Sequence, residues 1–149
     1  SALRRAEGFK LRRLETDGGV VREISGSVAS GEPITLLNLQ GELFFAAAEE
    51  LQAELLRVFD EGARFVVLRM QEAYNLDATS AGAIAHVAEK ARARGGRLVL
   101  CGVRPGMYGT FERAGLLKAL GEDSVFRAES ELLASTRRAL VFAKQLAST

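Results

Sequence analysis

Tyr74-Asn75-Leu76-Asp77-Ala78-Thr79-Ser80-Ala81 is the stretch around which the rest of the chain is arranged. Immediately before it lies the apolar run Phe65-Val66-Val67-Leu68, which reads as a buried strand. After it, Ile84, Val87, Ala88 and Ala91 recur at helical spacing. A short polar loop therefore joins a strand to a helix and presents Asp77, Thr79 and Ser80 at the helix start. Such a start has unpaired backbone N–H groups and a partial positive charge. A carboxylate and two hydroxyls placed there either cap the helix or meet a partner. Spacing alone leaves both readings open.

Working outward, the same alternation repeats. Arg64–Met70 reads as a strand whose unbroken apolar centre implies cover on both faces. Upstream, Val20–Ile24 reads as a short strand and Ile34–Leu39 as a longer one ending at Gln40-Gly41. Residues 46–61 read as a helix, with Ala47, Leu51, Leu55, Val58 and Phe59 on one face and Gly62 as its stop. Phe44 and Phe45 read as packing at the start of that helix. Downstream, the helix from Thr79 to Arg94 stops at Gly95-Gly96, and Arg97–Cys101 reads as another buried strand. Gly102-Val103-Arg104-Pro105-Gly106 reads as a tight strand-to-helix turn, with Pro near the first helical position. The helical stretch that follows carries Met107, Phe111, Ala114 and Leu117, and Gly115 blurs its end. Val125-Phe126 and a helix over Glu129–Ala147, with Leu132, Leu133, Leu140, Ala143 and Leu146 apolar, complete the order. Strands alternating with helices predict an α/β fold with parallel crossovers: a mixed, mostly parallel sheet of about four to five strands packed with about four helices.

Residues 1–18, with Arg4, Arg5, Lys10, Arg12 and Arg13 among few large apolar residues, read as a basic lead-in, part linker and part short helix. Residues 19–149 read as a single domain. The lead-in also has the composition of a segment facing anionic lipid, where each Lys or Arg contributes about 1 kcal/mol. The chain begins at Ser1 without a methionine, which suits a fragment of a longer protein.

Composition narrows the function. A net charge of +1 argues against a nucleic-acid polymer as partner, since phosphate binding needs a clustered basic excess. One cysteine, Cys101, excludes an intrachain disulfide and suits a reducing compartment. One histidine, His86, lies on the helix after the central loop. Together they are too few for a zinc site, and nothing places His86 beside a nucleophile as a His-based triad would need, so neither a metal nor a catalytic residue is expected. No phosphate-cradling glycine motif occurs, no cofactor is expected, and Cys101 at a strand end reads as a buried, inert thiol. No run approaches the roughly 20 apolar residues of a membrane span.

Five pieces in order resemble the STAS domain, the module of sulfate-permease-type (SulP) anion transporters and of bacterial anti-sigma-factor antagonists. They are Gly41-Glu42-Leu43-Phe44-Phe45-Ala46, then Phe65–Met70, then Leu76-Asp77-Ala78-Thr79-Ser80. Gly96–Val103 follows, and Phe111-Glu112-Arg113-Ala114-Gly115-Leu116 with Val125-Phe126 fits the tail. The resemblance spans about residues 34–146. The double phenylalanine and Asp-Ala-Thr are similar to the transporter branch rather than the Asp-Ser-Ser of antagonists. Two positions depart from the pattern: Ser80, where Gly is common, and Ala47, where transporters often carry Asn.

The resemblance implies an STAS-type fold and a non-enzymatic regulatory domain on the cytoplasmic face of a membrane anion transporter. Its implied partners are the transmembrane domain of the same transporter, a sister subunit or a soluble regulatory protein. Asp77, Thr79 and Ser80 would form the partner-binding loop, and Thr79 aligns with the hydroxyl that is phosphorylated in antagonists. A stand-alone phospho-switch protein is the alternative. A nucleotide or anion sensor, with Arg104 as the charge partner, is the second alternative.

Overall fold

The computed structural model describes residues 8–17, 19–131 and 133–149. Among these, six strands form one sheet and five helices cover it. The strands are β1 (Phe9–Asp17), β2 (Val20–Ile24), β3 (Ile34–Glu42), β4 (Phe65–Tyr74), β5 (Arg97–Val103) and β6 (Val125–Arg127). The helices are α1 (Phe45–Asp60), α2 (Ala78–Ala93), α3 (Tyr108–Arg113), α4 (Leu116–Leu120) and α5 (Ala134–Ala147). The sheet order is β2-β1-β3-β4-β5-β6, parallel from β3 to β6 and antiparallel at the β1 end. The α/β reading holds, with one strand and one helix more than the pattern suggested.

The extra strand lies where the sequence reads as a lead-in. Residues 9–17 are a nine-residue strand, not a linker with a short helix. Phe9 and Leu11 turn to one face and Leu14 to the other, while charged residues such as Lys10, Arg12 and Glu15 stay at the surface. Three large apolar residues among nine are too few to announce a strand, yet pairing with β2 and β3 supplies the backbone partners. Arg4 and Arg5 of the lead-in lie outside the described residues.

Alternation along the central strands divides the core. Leu37, Leu39, Val66, Leu68, Met70, Leu98 and Leu100 point to the face covered by α1 to α4. Leu51, Leu55, Ile84, Val87, Phe111 and Leu116 meet them there. Leu36, Phe65, Val67, Val99 and Cys101 point to the other face, where Ala139 and Ala143 of α5 close over them. Six consecutive buried residues, Phe65–Met70, confirm the two-faced burial of β4.

Several boundaries differ from the sequence reading, β3 running on to Glu42 and β5 to Val103 among them. β4 continues past Met70 to Tyr74, because Glu72, Ala73 and Tyr74 pair with Gln40, Gly41 and Glu42 after a bulge. The stretch that reads as one helix after Pro105 is a 3₁₀ turn (Pro105–Met107), α3 and α4. Gly115 at φ +77° makes the break between α3 and α4, a conformation that costs glycine nothing. The last helix starts at Ala134 rather than Glu129, because Leu133 holds the left-handed conformation (φ 69°) just before it. Leu132 lies outside the described residues.

Candidate functional site

The C-terminal ends of the parallel strands carry the starts of α1 and α2 side by side, and the two helices pack together. At the second of these starts β4 ends at Tyr74, and Asn75 takes the left-handed conformation (φ 54°). Its short amide side chain makes that conformation tolerable, and its Nδ2 donates to Glu42 Oε2 at 2.8 Å. Asp77 is extended (φ −96°, ψ 177°), and its Oδ1 accepts the backbone N–H of Ser80 at 2.8 Å. Ala81 N donates to the Asp77 carbonyl at 3.0 Å, the first rung of the helix. The capping reading of Asp77 is therefore present in the geometry.

The two hydroxyls behave differently. Thr79 is exposed in the first turn. Ser80 is fully buried, and among the described residues its Oγ has no hydrogen-bond partner. Burial removes Ser80 from any surface that a partner or a modifying enzyme could touch. Of the three candidate residues, the exposed Thr79 and the half-buried Asp77 remain accessible.

Arg104 does not join them. Its Nη1 donates to the carbonyl of Gln71 and its Nη2 to that of Ala73 at 2.6 Å, both on β4. It borders a cleft of about 390 Å³ with Tyr74, Asn75, Leu76, Gly106, Met107 and Thr110. Asp77, Thr79 and Ser80 are not among that cleft's walls.

The phenylalanines expected to pack at the start of α1 are exposed instead: Phe44 by 40% and Phe45 by 69%, with Tyr74 at 51%. Leu43, fully buried, takes the packing role expected of Phe44 and Phe45. Glu42 pairs with Tyr74 across the sheet and Leu43 N donates to the Tyr74 carbonyl at 3.0 Å, so Phe44 follows directly beside Tyr74. Exposed aromatic residues thus occur both at the α1 start and at the end of β4, the strand that leads into the loop. Spacing did not show this: Phe44 lies four and seven residues before the buried Ala48 and Leu51, in step with their stripe, but it precedes the helix in an extended conformation.

Elsewhere, Cys101 is buried with Sγ 3.5 Å from Thr136 Oγ1, and burial pushes its thiol up to about 11. His86 is half-buried on α2, facing a groove shared with Glu89 and Lys118. Among the described residues no group of three or more His, Cys, Asp or Glu is placed to hold a metal ion.

The STAS domain model fits residues 27–132. The chain belongs to the STAS domain family. BtrV of Bordetella bronchiseptica, named as a candidate anti-sigma factor antagonist, is 37% identical over 79 residues, covering 53% of this chain and 68% of BtrV. The crystal structure of a sulfate transporter family protein from Wolinella succinogenes is 32% identical, with a TM-score of 0.64 over 78% of this chain and 89% of that one. The murine anion transporter Slc26a9 shares the fold, with a TM-score of 0.71 at 13% identity. That match covers 97% of this STAS domain and 24% of the transporter. Relatives of this STAS domain therefore include both transporter-family and antagonist proteins.

Proposed function

We propose that this STAS domain is a non-enzymatic regulatory and interaction domain of a sulfate-type anion transporter, contacting partners through the surface around Asp77 and Thr79. The observation that carries this reading is the exposed Thr79 on a helix start capped by Asp77, with exposed aromatic residues at the end of β4 and at the neighbouring α1 start. The resemblance to the Wolinella transporter-family protein over most of its length supports the transporter branch. In this reading the domain sits at the cytoplasmic face of the membrane. Its partner is the transmembrane part of the same transporter, a sister subunit or a soluble regulator. Among the described residues no helix is long and apolar enough to cross a membrane, so any membrane part would belong to another segment.

A phosphate on Thr79 would add about −1.5 to −2 charges at pH 7. Asp77 two residues away repels it, while the free N–H groups of the first turn offset part of that repulsion. The outcome is a change in partner binding, not unfolding. Binding of the purified domain to the transporter's membrane portion tests this. Thr79→Ala should bind as the parent does and Thr79→Glu at least tenfold more weakly; equal affinities would sink the switch.

The similarity to BtrV favours a second reading, a stand-alone phospho-switch protein with Thr79 as acceptor. The upstream reading frame separates the two. Ten or so apolar segments of about 20 residues would mark the transporter, and their absence would mark the switch protein. For a nucleotide or anion sensor, Arg104 would have to release two strand carbonyls to meet a ligand. Titration calorimetry with nucleotides and sulfate tests that reading, and no heat at millimolar ligand removes it.

A further inference from the structure

The geometry points to Arg104 as the positioning residue of the partner loop: its guanidinium stands in for the strand that β4 lacks beyond Arg69, and so fixes where Asp77 and Thr79 are presented. This rests on the reading of that loop as the contact surface.

The last rung between β4 and β5 joins Arg69 to Cys101. Beyond it the regular pairing stops at Gly102, whose φ is +66°, although β5 itself runs on to Val103. A Cβ on Gly102 would lie only 3.0 Å from Gln71 Cβ, so both the conformation and the space suit glycine. The Gly102 N–H, no longer facing a strand, donates to Ser135 Oγ at 2.9 Å. β4 nevertheless continues to Tyr74. Its β3 edge stays paired through Glu72, Ala73 and Tyr74, and Asn75 is tied to Glu42. Its other edge has no further ladder pairing with β5, which would leave strand carbonyls without backbone partners.

Arg104 supplies those partners, donating to the Gln71 and Ala73 carbonyls. Carbonyls two residues apart lie on the same edge of a strand, so one side chain can serve both. Arginine suits this role because its planar fork carries several donors at fixed angles and stays charged at all working pH. Bonds from a charged donor are also stronger than neutral ones. The Gln71–Tyr74 extension is thereby held from both sides, and the loop that starts at Asn75 inherits a defined origin. Because Arg104 directly precedes the 3₁₀ turn before α3, its carbonyl accepting from Met107 N at 3.0 Å, it also ties the connection after β5 to the end of β4.

Hydrogen exchange on the intact domain, read residue by residue, tests the assignment without needing a partner. Arg104→Gln should speed exchange at the amides of residues 72–80 by at least tenfold, leaving the α1 and β5 amides as in the parent. Arg104→Lys, with one ammonium in place of a fork, should give a smaller increase at the same amides. Ser135→Ala, which removes the bond to Gly102 and leaves the β4 carbonyls alone, should not accelerate residues 72–80. Uniform acceleration across the sheet in both Arg104 variants would make Arg104 a general stability residue and overturn the proposal. Unchanged exchange at residues 72–80 would overturn it too. Should the Gln variant not fold, the Lys variant is read against the same two outcomes. The Thr79 binding comparison tests the partner reading separately, so either idea can fail while the other stands.

Discussion

Two helices begin side by side at the same end of this sheet, and they are held by different means. The α1 start has no side-chain cap: Phe44 is extended (φ −120°, ψ 171°) and its carbonyl accepts the tight bond from Ala47 N at 2.8 Å. What fixes it is Leu43, fully buried in the core, while Phe44 and Phe45 stand in solvent. The α2 start has little apolar anchorage in its loop, since Leu76 is only half-buried. It is held by polar groups instead: the Asp77 cap, the Asn75–Glu42 bond and the Arg104 fork. An apolar anchor leaves the polar surface free to vary, whereas polar bonds define the direction of each group they hold. The helix start that presents a hydroxyl is the one built from directional bonds.

The contrast can be broken at its strongest point first. Leu43→Ala should cost about 2–5 kcal/mol, because it removes buried methyl groups and leaves a cavity at the α1 start. Urea unfolding should show this loss, and a loss under about 1 kcal/mol would mean that α1 is held by something else. On the polar side, Asp77→Ala should cost about 1 kcal/mol, the usual value of an N-cap. Exchange should quicken in the first turn of α2 while α1 is untouched.

Ser80 gives an effect of the opposite sign. Its buried hydroxyl has no partner among the described residues, and such a group carries a desolvation penalty of roughly 1–3 kcal/mol. Ser80→Ala should therefore raise stability by about 1 kcal/mol, measured as a higher midpoint in urea. A fall instead would show that the hydroxyl is bonded in solution. The smallest stability change belongs to the exposed aromatic: Phe45→Ser should stay within about 0.5 kcal/mol of the parent. If Phe45 serves the partner surface, the same variant should weaken binding in the Thr79 assay. A large stability loss would instead place Phe45 in the core.

Much of the architecture is legible in the sequence because its signals are local and repeated. Apolar runs at Phe65–Leu68 and Leu98–Leu100, helical stripes at Leu51, Leu55 and Val58, and the glycines Gly62 and Gly95 mark alternating strands and helices. β1 is hidden because its charged residues outnumber its apolar ones, and its place depends on pairing with β3. The extension of β4 through Gln71–Tyr74 is hidden because it, too, depends on a distant partner strand. In the site, the spacing of Asp77 already suits a cap. Arg104 resembles an anion contact because a sequence shows a charge but not the carbonyls that face it. Ser80 groups naturally with Thr79 because two adjacent hydroxyls look alike until one is turned inward.

By itself, the sequence determined the alternation of strands and helices, the two-faced burial of β4 and the helix start at Asp77. Each follows from periodicity and side-chain chemistry within a few residues. Only the tertiary structure decided that Thr79 is exposed while Ser80 is buried, that Phe44 and Phe45 face solvent beside Tyr74, and that Arg104 completes the edge of β4. Those outcomes depend on which groups from distant parts of the chain arrive at the same place, and burial and hydrogen bonding are settled only there.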